Sequence, residues 1–291
     1  MSGRYLIVVP VTKAYISECE VLLKSLCVNN PGIPVHLITR ENEGDVMALG
    51  KKYPIVKRIH LEPYPTDLAL QINGEFRQVR TSRFRYAADV KDDFDVVLLL
   101  DSDMWSLRPM DNIFKMAECG TILVGGNSTM FRYTHKDFLA LKIDAPLDIN
   151  FVHNSFCTVP TFINPSIHED FLRAIYNSPS GNDLDVPNLL SITMGLVDNL
   201  YYLPSQNWLN IHHASLKPEL FCIKTDRGIM SKTGEPVYMM HGHWGDPNYY
   251  GEQLIEPMVK NYGYHQPYID CARNCIRILK ENYDYYAGLS I

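Results

Sequence analysis

Apolar and polar positions follow two different periods over the first hundred residues of this chain. Short continuous apolar runs are typical of strands that are buried on both faces, whereas apolar residues at helical spacing predict amphipathic helices. The predicted strands cover residues 5–11, 33–39 and 55–61. The predicted helices cover residues 17–27, 43–53 and 76–90. Because strands alternate with helices, we expect an α/β protein with a largely parallel, doubly wound central sheet.

The pattern is less regular in the second half of the chain, where fewer elements are predicted. Further strands are expected at residues 121–125, 156–162 and 237–241. Further helices are expected at residues 168–176, 253–262 and 269–283, with a loop at residues 204–209. We find no repeat and no linker. The sequence therefore predicts one domain over residues 1–250, with residues 251–291 as a helical extension of the same domain.

The most informative stretch is an apolar run over residues 96–100 that ends in Asp101, Ser102 and Asp103. Open α/β sheets bind their ligands at the carboxyl ends of the strands, so these carboxylates lie where a ligand is expected. Two aspartates at i and i+2 point the same way on extended chain and can reach one hard divalent cation. The alternative is a polar strand end with turn-forming residues.

Composition and charge disfavour some classes of protein and favour one compartment. The chain has 291 residues and a formal net charge of −6, which gives no general attraction to nucleic acid or anionic lipid. No segment reaches the ~20 apolar residues of a membrane span. The first residues do not match a signal peptide, and none of the seven cysteines forms a C-x-x-C pair. We therefore expect a protein of the reducing cytoplasm.

The loop after the first strand is the usual position for a nucleotide in such a sheet. This loop is not glycine-rich, which disfavours dinucleotide-dependent dehydrogenases and phosphate-loop ATPases. We expect Pro10, Val11 and Thr12 to lie beside the nucleotide, and Tyr15 to stack on its base, as aromatic rings do with any nucleobase. The alternative for Tyr15 is an ordinary half-buried tyrosine.

Four arginines follow one another on the helix predicted before Asp101. Arg77, Arg80 and Arg83 share one side of that helix, and Arg85 follows. The default explanation is a solvated helix face. Guanidinium groups near predicted carboxylates and a metal also suit a diphosphate, because they donate paired hydrogen bonds and stay charged. We expect at least one of Arg80, Arg83 and Arg85 to bind the diphosphate, with Ser102 close to it.

Two histidines follow the last predicted strand. His241 ends that strand directly and His243 comes two residues later, between glycine and tryptophan. Imidazole together with carboxylates is a suitable ligand set for Mn²⁺ and an acceptable one for Mg²⁺. We favour His241 as the metal ligand and expect His243 to contact the donor, although the reverse assignment remains open.

Polar residues in the middle of the chain are candidates for contacts with the sugar. Asn154 lies in a segment that could bring polar groups beside the donor. Asp183 and Asp185 could bind sugar hydroxyls, and turn formation explains them equally well. We count Asn154 and Asp185, with Asp101 and Asp103, among the candidate catalytic residues.

Over residues 4–250, these segments resemble the glycogenin-like and lipopolysaccharide-galactosyltransferase-like enzymes of glycosyltransferase family 8, which have a GT-A fold. The resemblance is one of motif order. It rests on Ala14-Tyr15, Leu22 to Leu26, Leu100 to Asp103, Asn154-Ser155, Leu203-Pro204, Trp208 to Asn210, and His241. The chain departs from the family's histidine-to-tryptophan motif, because Asp246-Pro247 follows Gly245 and the motif's lysine is missing. The family's Asp-Gln pair near the acceptor is also absent.

The resemblance implies a Rossmann-like GT-A domain that transfers a sugar from a nucleoside diphosphate sugar, with UDP-sugar as the expected donor and retention as the expected outcome. It further implies that Tyr15 stacks on uracil and that Asp101, Asp103 and His241 bind Mn²⁺. We expect a saccharide acceptor; a protein or a modified nucleic-acid base is the alternative. A catalytically silent nucleotide-sugar-binding module and a hydrolase or nucleotidyltransferase with the same metal site are the competing functions. Packing is the favoured explanation for the tyrosine-rich end of the chain, and the surface of a homodimer or an aromatic platform for the acceptor are the alternatives.

Overall fold

A computed structural model of the chain describes residues 3–40, 43–63, 74–144, 150–178, 180, 182–203, 208–210, 222–242 and 265–291. The chain divides into two compact units. The first consists of Met1–Lys13, Ile33–Asp101 and Asp111–Leu203. The second consists of Ala14–Gly32, Ser102–Met110 and Pro204–Ile291. The predicted division at residue 250 stays a prediction.

The described residues form strands, helices and two short 3₁₀ turns. The strands are β1 (Tyr5–Pro10), β2 (Val35–Thr39), β3 (Val56–Leu61), β4 (Val96–Leu99), β5 (Met104–Ser106), β6 (Ile122–Thr134), β7 (Asn150–Ile163), β8 (Leu200–Leu203), β9 (Trp208–Asn210), β10 (Cys222–Thr225), β11 (Gly228–Ser231) and β12 (Met239–His241). The helices are α1 (Ile16–Asn29), α2 (Glu43–Lys52), α3 (Gly74–Asp89), α4 (Asp111–Ala117), α5 (His135–Ala140), α6 (Glu169–Asn177), α7 (Asp185–Thr193) and α8 (Gln266–Gly288). The 3₁₀ turns cover Lys13–Tyr15 and Val197–Asn199.

The first unit is built on a seven-stranded sheet with the order β3-β2-β1-β4-β7-β6-β8. Strand β7 is antiparallel to both of its neighbours, and the other neighbouring pairs are parallel. Strands β1 and β4 lie side by side, and their apolar residues from Leu6 and Val96 onward are completely buried. Burial on both faces explains why these strands are continuous apolar runs without alternation. The predicted α/β class with a mostly parallel sheet is therefore confirmed.

Helices pack on this sheet through one large apolar cluster. Helix α3 contacts β1, β2 and β4 and also packs on α6, while α4 and α7 contact β7. The cluster includes Phe84 of α3, Leu99 of β4, Phe138 of α5 and Leu172 of α6. Burial of this kind stabilises the unit by about 25 cal/mol for each Å² of apolar surface removed from water. The core thus fixes α3 against the end of β4.

The second unit combines a three-stranded sheet with a long helix and a hairpin. The sheet has the order β5-β12-β9, and β10 pairs with β11 in an antiparallel hairpin. Helix α8 packs on α1 and β10. Trp105 of β5 is buried, and its Nε1 donates to Asn282 Oδ1 of α8 over 2.8 Å. The thiols of Cys222 and Cys275 are also buried, with 3.3 Å between their sulfur atoms.

The sequence patterns miss several short elements and misplace one loop. The missed elements are β5, β8, β10, β11, α4, α5 and α7. The loop predicted over residues 204–209 is wrong at its end, because residues 208–210 form β9 and pair in parallel with β12. Residues 204–207 lie outside the described residues. The helix predicted at residues 253–262 lies outside the described residues. Within the described residues, no helix is both long enough and apolar enough to cross a membrane.

Candidate active site

Asp101 follows β4 closely and is buried in the first unit. Strand β4 lies between β1 and β7, and Leu100 N still donates to Val8 O over 3.1 Å. The backbone is therefore held by its neighbour up to the residue before Asp101. The strand end brings this carboxylate to the edge of the sheet at which ligands bind in folds of this kind.

Two arginines of α3 hold the carboxylate of Asp101. Arg83 is completely buried, and its Nη1 donates to Asp101 Oδ1. Arg80 Nη2 donates to Asp101 Oδ2 over 3.0 Å, and its side chain keeps 29% of its surface exposed. The two guanidinium groups thus engage the two oxygens separately. Such charge-assisted hydrogen bonds fix the orientation of a carboxylate more firmly than neutral ones.

A second carboxylate, that of Asp183, completes this group in the first unit. Asp183 Oδ2 lies 3.2 Å from Arg83 Nη2 and 3.3 Å from Arg80 Nε. Arg83 Nη2 also donates to Thr158 Oγ1 of β7 over 3.3 Å. The four charged groups balance each other, which offsets the cost of taking them out of water. These contacts join α3, the end of β4 and the segment before α7.

Asp103 and His241 meet in the second unit. Strand β5 pairs with β12 so that Met104 lies opposite His241, and Gly242 N donates to Asp103 O over 2.9 Å. These backbone contacts place the two side chains together, with 3.1 Å between His241 Nε2 and Asp103 Oδ1, and both side chains are buried. A carboxylate oxygen and an imidazole nitrogen are ligands that Mn²⁺ accepts and that Mg²⁺ tolerates.

The predicted nucleotide-binding residues follow the end of β1. Pro10 and Val11 are buried, and Val11 N donates to Ile38 O over 2.8 Å, which extends the pairing of β1 with β2. Thr12 is half-buried in the first unit. Tyr15 belongs to the second unit, where it is half-buried at the end of a 3₁₀ turn just before α1. Ser102 is buried in the same unit.

Arg85 contacts a different group of residues. Its Nη2 lies 2.5 Å from Glu62 Oε2, and its Nη1 donates to Tyr176 OH over 3.1 Å. Burial opposes ionisation of Glu62, but a hydrogen bond from His60, the charge of Arg85 and a hydrogen bond from Ser82 outweigh it and lower the pKa of Glu62. Of the three candidate arginines, Arg80 and Arg83 therefore contact Asp101, whereas Arg85 is engaged by Glu62 and Tyr176.

The remaining candidates are placed less completely. Asn154 lies in β7, where its backbone pairs with that of Met130. The structure describes the backbone of Asn154 but not its side chain. Asp185 begins α7, and its Oδ2 accepts a hydrogen bond from Asn182 Nδ2 over 3.0 Å. His243 lies outside the described residues, as does the side chain of Arg77.

One residue that helps to shape the site carries no signal in the sequence. Asn188 of α7 is completely buried, and its side-chain amide pairs with the backbone of Phe156 in β7. Phe156 N donates to Asn188 Oδ1 over 2.9 Å, and Asn188 Nδ2 donates to Phe156 O over 3.0 Å. This pairing anchors the start of α7, and with it the segment that carries Asp183. A single asparagine within a helix has no sequence pattern that would indicate this role.

Comparison with known proteins identifies the fold. No protein-family model and no curated protein sequence matches this chain. Solved structures with a similar fold are GT-A glycosyltransferases. This similarity confirms the fold that the sequence motifs imply.

Two of these structures illustrate the extent of the likeness. One is the galactosyltransferase LgtC in complex with donor and acceptor sugar analogues, with a TM-score of 0.54, 14% identity, and coverage of 97% of this chain and 95% of LgtC. Another is the apo form of the bifunctional glycosyltransferase WbbM, with a TM-score of 0.52, 10% identity, and coverage of 94% of this chain. The match spans about half the length of WbbM, 52%.

Proposed function

We propose that this protein is a metal-dependent glycosyltransferase that moves a sugar from a nucleoside diphosphate sugar, with UDP-sugar as the donor, to an acceptor hydroxyl. The observation that carries the proposal is the contact between Asp103, which directly precedes β5, and His241, which ends β12. The GT-A fold supports it independently, because the ligand-binding edge of such a sheet lies at the carboxyl end of β4.

We assign Asp101, Asp103 and His241 as the residues that would hold the divalent cation. Asp101 precedes Asp103 by two residues, so one short segment supplies both carboxylates. Two carboxylates and one imidazole form a donor set suited to Mn²⁺, with Mg²⁺ as the alternative. The cation would neutralise charge on the diphosphate as the bond between the sugar and the nucleotide breaks.

The two arginines at Asp101 have different proposed roles because they differ in exposure. Arg83 is 0% exposed, and its Nη1 and Nη2 contact Asp101 and Asp183, so it positions these two carboxylates. Arg80 keeps 29% of its side chain exposed, which leaves it accessible to a ligand. We assign Arg80 as the group that donates to the diphosphate. A preorganised donor of this kind lowers the barrier because it need not reorient during the reaction.

The remaining donor contacts are proposed from the sequence motifs. Tyr15 stacks on the uracil ring, and Pro10, Val11 and Thr12 line the nucleotide. Ser102 and His243 lie near the diphosphate, while Asn154 and Asp185 contact the sugar. Transfer proceeds with retention, and the acceptor is a saccharide. No carboxylate is assigned as a nucleophile or base.

The test is release of nucleoside diphosphate from a panel of nucleotide sugars by the purified protein, with Mn²⁺ and with EDTA. We expect release from one donor that EDTA abolishes and that a saccharide acceptor accelerates. Asp103→Asn should remove the activity, whereas the same change at Asp226, an exposed residue of the β10–β11 turn, should keep it. Full activity of folded Asp103→Asn protein would refute the metal assignment.

Release that does not depend on an acceptor would indicate hydrolysis instead of transfer. Binding of UDP without turnover on any donor or acceptor would favour the silent module. These outcomes differ in product and in affinity, so one set of reactions separates the three functions.

A further inference from the structure

The second unit contains a cavity of about 300 Å³ between the β10–β11 hairpin and the C-terminal half of α8. Its volume is at the lower end of the range for small-molecule sites, roughly 300–1,000 Å³. Such a volume suits a ligand of one or two small rings. None of the residues that we assign to the donor or the cation lines this cavity.

The cavity combines an apolar surface with an exposed aromatic ring. Leu107, Ile229 and Ile278 supply aliphatic surface. Tyr285 of α8 lines the cavity and keeps 58% of its surface exposed, so that its ring is open to a ligand. The face of an aromatic ring carries partial negative charge and attracts the polarised C–H groups of a flat ligand. This lining suits a ligand that has one apolar face.

Polar groups of opposite charge accompany the apolar surface. Lys224 of β10 and Glu281 of α8 both line the cavity. Arg277 Nη1 also donates to Glu281 Oε1 over 2.5 Å, which balances the charge of the carboxylate. Lys224 and Glu281 are the charged pair that the lining itself presents. The pair offers both donors and acceptors to hydroxyl groups.

An amide with a fixed orientation completes the polar lining. Asn282 lines the cavity, and its Oδ1 accepts the hydrogen bond from Trp105 Nε1. The hydrogen bond from the indole to Oδ1 orients the amide, and Nδ2 carries its two donor hydrogens. The neighbouring Tyr286 is itself held, since its OH accepts from Asn29 Nδ2 over 2.8 Å. The polar wall is therefore preorganised.

We propose that this cavity is a binding site for a neutral saccharide, separate from the donor site, in which one pyranose ring packs on Tyr285 and its hydroxyls bond to Lys224, Glu281 and Asn282. A sugar ring has an apolar face and a rim of hydroxyl groups that both donate and accept. The apolar face of the sugar matches the ring of Tyr285, and its hydroxyl groups match the charged pair and the amide. The site binds sugar whether or not the protein transfers one.

The test is saturation-transfer NMR with lactose, maltose and methyl β-D-glucopyranoside on the full chain, without added metal. We expect at least one of these sugars to give signals and a measurable Kd. Tyr285→Ala should weaken that Kd at least tenfold. The same change at Tyr201, an exposed tyrosine of β8 with 49% exposure, should leave it within twofold. If Tyr285→Ala does not fold, Lys224→Ala, which changes a residue of the exposed hairpin, replaces it as the test variant.

Three results would overturn the proposal. The first is the absence of signal from all three sugars. The second is binding that neither Tyr285→Ala nor Lys224→Ala weakens. The third is binding that UDP with Mn²⁺ displaces and that Asp103→Asn removes, since this would place the sugar at the donor site. Failure of nucleotide release, by contrast, would refute the proposed transferase activity and leave the sugar binding unaffected.

Discussion

The completely buried guanidinium of Arg83 donates a hydrogen bond to the carboxylate of Asp101 just beyond β4. A buried arginine is costly unless every charge around it is matched, and Asp101 and Asp183 match the charges of Arg83 and Arg80. This ion network gives the fold a charged core that includes Asp101, a proposed ligand of the cation. Its integrity therefore affects both stability and activity.

Arg83→Met should destabilise the protein strongly. Loss of one partner from a buried ion pair leaves uncompensated charge and costs about 3–5 kcal/mol. The matched control is Arg173→Met, since Arg173 forms exposed ion pairs with Glu169 and Asp89 that are worth about 0–1 kcal/mol. Urea unfolding followed by circular dichroism measures both. An equal decrease in the free energy of unfolding in the two variants would show that Arg83 contributes no more to stability than a surface arginine does.

Arg80→Gln should impair donor binding more than folding. A hydrogen bond from a charged group contributes about 1.5–3 kcal/mol, so the donor KM should rise roughly tenfold or more. Steady-state release of nucleoside diphosphate over a range of donor concentrations gives this value. Arg173→Gln removes an exposed arginine of α6 and should leave the donor KM unchanged. An unaltered KM in Arg80→Gln would remove Arg80 from the diphosphate site.

Tyr15→Ala should raise the donor KM while the fold is kept. One stack between a base and an aromatic ring is worth about 1–3 kcal/mol. The kinetic comparison is with Tyr201→Ala, which removes an exposed tyrosine from β8. If Tyr15→Ala binds UDP as tightly as the unaltered protein does, Tyr15 is not part of the nucleotide site.

Mn²⁺ should stabilise the folded protein through His241. At a hundred times its Kd, a ligand that binds only the folded state adds about 2.7 kcal/mol to the free energy of unfolding. Thermal unfolding with Mn²⁺ and with EDTA measures the shift, which His241→Ala should abolish. His265→Ala, at an exposed histidine before α8, should keep it. A full Mn²⁺ shift in His241→Ala would exclude His241 as a ligand.

Stability should fall as the pH falls from about 6.5 to about 4, with a contribution from His36. Burial, aided by the charge of Arg58, lowers the pKa of His36 to about 4 from its usual value of 6.5. Between these values the unfolded chain binds more protons than the folded protein, so the free energy of unfolding rises with pH. Burial also lowers the pKa of His168, which acts in the same direction.

Urea unfolding at several pH values within this window gives the slope of stability against pH. The slope should be smaller in His36→Gln, because the titrating group is gone. His265→Gln, in which an exposed histidine is replaced, should retain the slope of the unaltered protein. A slope that His36→Gln leaves unchanged would show that other groups dominate the pH dependence.

Most of the strands that are predicted correctly from the sequence are buried along their length, and such burial requires apolar residues at nearly every position. Strands β1, β2 and β4 are buried along nearly all of their length and appear as apolar runs. Strand β5, with three residues, and the β10–β11 hairpin, half exposed, are too short or too mixed to produce a period. The parallel pairing of β9 with β12 depends on residues far apart in the chain, so local turn residues indicate a loop instead.

In the candidate site too, residues that follow a local sequence pattern are predicted, whereas contacts between residues far apart in the chain are not. Asp101 and Asp103 follow a buried strand, and this local signal is sufficient to select them as candidate ligands. The spacing of Arg80 and Arg83 is typical of a solvated helix face, whereas Arg83 is completely buried. Its burial depends on Asp183, which lies a hundred residues later in the chain, and no local pattern contains that pairing.

The pairing of β5 with β12 also constrains when the site can exist during synthesis. Asp103 emerges from the ribosome well before His241, with β6–β11 and α4–α7 made in between. The seven-stranded sheet of the first unit is complete in sequence once β8 has been made, before β12 exists. A nascent chain of that length has Asp101 and Asp103 without the imidazole of His241. Cation binding through all three residues would therefore distinguish chains that extend past β12 from shorter translation products.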